Sequence, residues 1–172
     1  MARAGAVTFK GTPMTLAGDA VKTGAQAPDF TVHYFEGGLK TITAGDVRGK
    51  ATILSVVPSL DTGVCKTQTK KFNDELASLK DQVNAVTISL DLPFAMNRFC
   101  GAEEVKNMRV GSDYQDRNFG KSYGVLIEEL KLLARSVFVL DKSGKMVYCE
   151  VCPEVTSEPN YEAAMTALKG AL

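Results

Sequence analysis

The sequence predicts an α/β fold, a mixed central sheet flanked by helices and preceded by an N-terminal β-hairpin. Three observations predict it. The runs Ala51–Val57 and Val83–Leu90 are rich in apolar and β-branched residues, the pattern of strands buried on both faces. Segments with apolar residues at helical spacing alternate with those strands. A pair of strands and a last helix then close the chain. With 172 residues, 45% apolar and 23% charged, residues 1–172 have the size and mix of one soluble globular domain.

Val7 and Phe9, then Met14 and Leu16, alternate around Lys10-Gly11-Thr12-Pro13, which reads as a short hairpin. Phe30–Phe35 alternates too and is turned by Glu36-Gly37-Gly38 into Leu39–Thr43. Pro58 stops the strand Ala51–Val57. Phe72, Leu76 and Leu79 then recur at i, i+4 and i+7 with lysines and acids between them, an amphipathic helix beginning near Thr62. Val83–Leu90 ends at Asp91-Leu92-Pro93, and a helix is expected from Pro93 to about Val105. A short strand near Met108–Val110 and a helix over Asn118–Tyr123 follow. Ser136–Leu140, the turn Asp141–Gly144 and Lys145–Val151 make a second hairpin. In the tail, Tyr161, Met165 and Leu168 share one helical face, with Pro159 near the first turn. Strand–helix–strand, then helix, hairpin and helix, is the order of thioredoxin-like folds. Fold class alone says little about function.

Twenty basic residues balance twenty acidic ones, so no global field draws the chain to nucleic acid or an anionic membrane. Ile53–Val57 and Val137–Leu140 are far too short to span a bilayer. No apolar segment follows Met1–Val7, so no signal peptide is visible and a cytoplasmic location is expected. Four cysteines are too few for a secreted disulfide scaffold; in a reducing compartment they are core residues, metal ligands or working thiols. A single histidine, His33, removes most histidine-based site designs. Chemistry is therefore to be sought at cysteine.

The most informative segment is Val57-Pro58-Ser59-Leu60-Asp61-Thr62-Gly63-Val64-Cys65-Lys66-Thr67. It joins a buried strand to the amphipathic helix and puts Cys65 in the first helical turn. Free N–H groups and the positive end of the helix dipole stabilise an anion there. Lys66, Lys70 and Lys71 are expected to add positive charge nearby, the conditions that favour a thiolate. Acidity alone does not make an efficient nucleophile, because intrinsic nucleophilicity falls with basicity. Further donors must stabilise charge on the leaving group. The Thr62 hydroxyl is one candidate, and a distant arginine would serve as well.

Pro58-Ser59-Leu60-Asp61-Thr62-Gly63-Val64-Cys65, followed by Lys71-Phe72-Asn73, resembles the active-site segment of the bacterial thiol peroxidases, which are atypical two-cysteine peroxiredoxins. The resemblance continues through Asp91-Leu92-Pro93-Phe94-Ala95, Arg98-Phe99-Cys100-Gly101, Tyr123-Gly124-Val125, Leu133-Ala134-Arg135-Ser136 and Glu158-Pro159-Asn160-Tyr161, covering almost the whole chain. It implies that Cys65 is the thiolate that attacks the terminal oxygen of a hydroperoxide and becomes a sulfenic acid. Pro58 would shield the pocket, while Thr62 and Arg135 would bind and polarise the peroxide oxygens. Cys100 would resolve the sulfenic acid as a disulfide within one chain, which thioredoxin then reduces. Hydrogen peroxide and alkyl hydroperoxides are the implied substrates and a homodimer the implied assembly, with no metal, flavin or haem. One departure is Gly63, where proline is expected in many relatives. Glycine loosens a helix start, and easing the unwinding needed for the disulfide is the role it suggests.

Other features have plainer readings. Cys149-Glu150-Val151-Cys152 has CxxC spacing, but it lies in a predicted strand running into Pro153 rather than at a helix start. Along a strand i and i+3 face opposite ways, so ordinary packing is expected. Zinc would need further ligands that the sequence does not offer. His33 reads as a strand residue rather than a base for Cys65. Gly45-Asp46-Val47-Arg48-Gly49-Lys50 has too few residues between its glycines for a phosphate loop, and Ala51 stands where Ser or Thr is required. Two rival functions remain at this point: a thiol–disulfide oxidoreductase without peroxidase activity, and a non-catalytic redox sensor or chaperone.

Overall fold

Side-chain alternation along the central strands sorts the apolar residues into two layers, one on each face of a sheet. The computed structural model describes residues 1–172. In chain order it contains β1 (Arg3–Phe9), β2 (Thr12–Leu16), β3 (Thr31–Phe35), β4 (Leu39–Thr43), β5 (Ala51–Val56), α1 (Gly63–Glu75), β6 (Val83–Ser89), α2 (Pro93–Ala102), β7 (Arg109–Ser112), α3 (Asn118–Ser122), β8 (Leu126–Ile127), β9 (Leu132–Leu133), β10 (Ser136–Leu140), β11 (Met146–Val151) and α4 (Tyr161–Gly170). The main sheet has the order β11-β10-β5-β6-β7-β3-β4. β5, β6 and β7 run parallel, and the flanking strands pair antiparallel. This is the mixed sheet, flanked by helices, that the sequence predicts for a thioredoxin-like fold.

Ala51 and Ile53 of β5, Ala85 of β6, and Val137 and Val139 of β10 point to one face, where Phe72 and Leu76 of the α1 region and Tyr161, Ala164, Met165 and Leu168 of α4 cover them. Leu54, Val56, Val86, Ile88, Phe138 and Leu140 point to the other. There they meet Val7, Met14, Leu16, Leu126, Ile127 and Leu133 from a second, four-stranded sheet of order β1-β2-β8-β9. Burying an aliphatic or aromatic side chain contributes about 1.5–3 kcal/mol. Successive residues of one strand thus stabilise opposite layers.

β8 and β9 are elements the sequence reading does not contain. Two residues each, separated by the charged stretch Glu128–Lys131, they are too short to show a period of two. The helix from Pro93 ends at Ala102 rather than near Val105, and the strand expected near Met108–Val110 spans Arg109–Ser112. Gly45–Val47 forms one turn of 3-10 helix, not a phosphate cradle. His33 lies on β3 with its ring against Tyr114, as a strand residue. The first hairpin turns through Lys10 and Gly11, whose φ values of 49° and 81° make the two-residue turn that matches strand twist.

Candidate active site

Pro58, buried, breaks the chain away from the sheet just beyond β5. The loop it opens closes on itself: the Thr62 N–H donates to the Ser59 carbonyl at 3.2 Å, and the next residue begins α1. Cys65 is the third residue of that helix, within the turn whose N–H groups lack intrahelical acceptors. Its side chain is wholly buried among Val57, Leu60 and Met96.

Arg135, 2% exposed, reaches this sulfur from the residue preceding β10. Its Nη2 donates to Cys65 Sγ at 3.2 Å, Nη1 to Gln68 Oε1 at 2.9 Å and Nε to the Val155 carbonyl at 2.8 Å. A buried guanidinium requires hydrogen bonds and an anionic partner. None of the four ion pairs in the molecule involves Arg135. Beyond Gln68 and the Val155 carbonyl, the partner that Arg135 does have is the Cys65 sulfur.

Gln68 is a site residue the sequence reading missed. Its amide donates to Ser55 Oγ at 2.9 Å and accepts from Arg135, fixing the guanidinium in the plane that meets the sulfur. The available signal was spacing: Cys65, Gln68 and Phe72 fall three and four apart on the face of α1 that turns inward, so a polar residue there has to be satisfied inside.

The lysines require a correction. Lys66 and Lys70 both pair with Glu103, at 2.6 and 3.4 Å, and Lys71 Nζ lies 4.3 Å from the Tyr161 ring centre. They sit on the outer face of α1 or over its edge, and the cation in contact with Cys65 is Arg135. Helical periodicity explains the difference, since residues one, five and six after a buried position project away from it.

A cavity of about 320 Å3 opens beside the cysteine, lined by residues including Pro58, Thr62, Val64 and Arg135, with Phe9 and Val155 as apolar wall. Arg135 both lines this space and donates to Cys65 Sγ, so one side chain links cavity and sulfur. Thr62 is exposed, and its hydroxyl donates to the Ser59 carbonyl at 3.2 Å rather than capping α1.

Cys100 lies on α2, half-buried at the edge of the apolar layer beneath α1 and α4, and burial pushes its thiol up to about 11. It is one helical turn beyond Met96, which shares an apolar cluster with Cys65. All four cysteines are free. Cys149 packs against the core layer facing the small sheet, while Cys152, past the end of β11, is buried with its N–H on the Arg135 carbonyl at 2.9 Å. Burial, with Glu150 beside it, pushes the Cys152 thiol up to about 12, and burial also raises Cys149. Burial thus disfavours the thiolate at both.

Residues 22–165 match the family model described as Redoxin. The thiol peroxidase of Bacillus subtilis is 54% identical over 163 residues, which cover 95% of this chain and 96% of that protein. The thiol peroxidase of Halalkalibacterium halodurans is 50% identical over 166 residues, covering 96% and 98%. Among solved structures, the peroxiredoxin-like protein from Aquifex aeolicus matches with a TM-score of 0.88 at 40% identity, covering 96% of each chain. The chain belongs to the Redoxin family and, within it, to the thiol peroxidases of peroxiredoxin type.

Proposed function

We propose that this thiol-dependent peroxidase reduces hydrogen peroxide and alkyl hydroperoxides through a cycle carried by Cys65 and Cys100. The observation that supports it best is the 3.2 Å contact between Cys65 Sγ and a buried arginine with no carboxylate partner. The Cys65 thiolate attacks the terminal oxygen of the hydroperoxide. A sulfur–oxygen bond forms, the oxygen–oxygen bond breaks, and the departing alkoxide or hydroxide takes a proton from solvent. Cys65 is left as a sulfenic acid. Arg135 neutralises charge on the departing oxygen, the Thr62 hydroxyl orients the peroxide at the cavity mouth, and Pro58 keeps bulk water out. A cavity of about 320 Å3 has room for an alkyl group as well as for hydrogen peroxide.

Cys100 then attacks the Cys65 sulfenic acid, giving a disulfide and water. A disulfide needs its α-carbons within about 7 Å and its sulfurs in contact. Cys65 faces Arg135 while Cys100 sits in a different apolar cluster, so the first turn of α1 unwinds and the Cys100 turn of α2 rearranges. Thioredoxin returns the disulfide to two thiols. Family resemblance supports thioredoxin as reductant, a homodimer and a cytoplasmic setting. No helix is long and apolar enough to cross a membrane.

The test is peroxide consumption with thioredoxin, thioredoxin reductase and NADPH, in wild type, Cys65→Ser and Cys100→Ser. Cys65→Ser is expected to lose all turnover. Cys100→Ser is expected to be oxidised once and then to stall. Turnover that survives Cys65→Ser overturns the assignment. A wild type that is oxidised at Cys65 without sustained turnover favours a redox sensor instead.

A further inference from the structure

We propose that Asp91 is a positioning residue that holds the loop before the Cys65 helix in its peroxide-reactive form and ties that loop to the start of the Cys100 helix. The inference rests on the peroxidase reading above and adds to it the device that sets the balance between its two steps.

Asp91 stands two residues past the end of β6 and is partly buried. Its Oδ1 accepts from the Ser59 hydroxyl at 2.8 Å, and its Oδ2 accepts from the Leu60 N–H at 2.8 Å and from the Ser89 hydroxyl at 2.6 Å. Ser59 and Leu60 lie in the loop between Pro58 and Thr62, and Leu60 belongs to the small apolar cluster that holds Cys65. Ser59 in turn accepts from the Asp61 N–H and, through its carbonyl, from the Thr62 N–H. One carboxylate therefore anchors the segment that shapes the cavity mouth and starts α1. Bonds to an ionised acceptor are about twice as strong as neutral ones, so the anchor resists opening.

The same residue stands two positions before Pro93, the first residue of α2. Its own backbone is pinned, because its N–H donates to Ser89 Oγ at 3.1 Å and its carbonyl accepts from the Ser112 hydroxyl. The loop leading to Cys65 and the loop leading to Cys100 thus share one node at the ends of adjacent strands. Unwinding the first turn of α1 strains the Ser59 and Leu60 bonds to Asp91. Keeping these bonds favours attack on peroxide; breaking them favours the disulfide. The sulfenic acid has a competing fate, in which a second hydroperoxide oxidises it to the sulfinic acid and is itself reduced to the alcohol or water. A longer-lived closed loop raises that loss.

The experiment compares wild type with Asp91→Asn and Ser59→Ala. Asparagine keeps the shape and one acceptor but removes the charge; alanine removes the hydroxyl that donates to Asp91 and accepts from the Asp61 N–H, and leaves the carboxylate. The rate of Cys65 oxidation is read in a Cys100→Ser background, the rate of disulfide formation in the otherwise native chain, and sulfinic acid per turnover by mass spectrometry. Asp91→Asn is expected to slow the first step about fivefold, to speed the second about fivefold and to lower sulfinic acid per turnover by a similar factor. Ser59→Ala should shift each in the same direction by about twofold. A merely structural role would slow both steps together. That result, or unchanged rates, overturns the proposal. If Asp91→Asn fails to fold, Ser59→Ala decides in the same terms. A wild type that forms no sulfenic acid at Cys65 overturns the peroxidase reading and this one with it. A wild type that forms it beside variants with unaltered partition overturns this one alone.

Discussion

Seventy residues of chain separate Arg135 from Cys65, and nothing in Leu133-Ala134-Arg135-Ser136 marks that arginine as different from a surface one. Resemblance pointed to it; its burial, its bond to Gln68 and its contact with sulfur are products of the tertiary fold. Cys65 was more legible, because a strand, a proline and a helix start are all local. Cys100 lies between the two, placed by resemblance and given a property by its surroundings. Burial raises its thiol to about 11, so in the proposed cycle the proton must leave before Cys100 attacks the sulfenic acid. While pH stays below that value, the thiolate fraction rises about tenfold for each unit of pH. Disulfide formation after one equivalent of peroxide is therefore expected to accelerate about tenfold per unit between about pH 6 and 8. Stopped-flow measurement across that range checks it, and a flat profile would mean that unwinding of α1, not loss of the thiol proton, limits the step.

At the scale of elements, the proposed cycle puts its timing in the start of α1. Gly63 is its first residue, with nothing within 4 Å of where a Cβ would stand, so a larger side chain fits. Proline is favoured at this position, where no N–H bond is lost, and it would stiffen the turn that has to unwind. Gly63→Pro is expected to slow disulfide formation about fivefold with peroxide attack nearly unchanged; equal disulfide rates in the two proteins would remove glycine's role. The short helix α3 shows a different dependence. Asp113, buried after β7, accepts from the N–H groups of Phe119 and Gly120 at 3.0 and 2.8 Å, and burial raises its carboxyl to about 6. The native state then binds a proton more tightly than the unfolded chain, whose value is near 3.8. Stability contributed by that proton is present at low pH and is lost as pH rises through about 6. Asp113→Asn should flatten the stability–pH curve in this window, measured by urea denaturation, and should lower stability overall by about 1–2 kcal/mol through the weakened cap. Helices and buried strands were legible because their periods repeat. The α1 lysines were misread because helix phase decides which of them can approach Cys65, and phase is read against the buried face.

Across the whole molecule, Pro58 after β5, Asp91 after β6 and Asp113 after β7 all stand at the carboxyl ends of the parallel strands, the edge where α/β sheets place their sites. The small sheet completes that site from outside. Glu154, just past β11, accepts from the Thr8 hydroxyl at 3.0 Å and the Gly11 N–H at 2.8 Å through one oxygen. The other oxygen accepts from the N–H and hydroxyl of Thr156 at 2.8 and 2.7 Å. This clamp joins the turn of the first hairpin to the segment bearing Val155, and so brings Phe9 and Val155 together as the apolar wall of the cavity. The Thr156 bonds foremost hold the carboxyl at about 2, so the clamp keeps its charge until pH falls toward that value and does not vary across the neutral range. An apolar wall affects a substrate in proportion to how much of the cavity that substrate fills. Glu154→Gln is therefore expected to raise KM for a bulky aromatic hydroperoxide about threefold while the rate with hydrogen peroxide changes less than about twofold. Steady-state kinetics with the two substrates checks it. Equal losses on both would place the hairpin among the supports of Cys65 itself, and no loss on either would mean that the small sheet closes the fold without shaping what enters it.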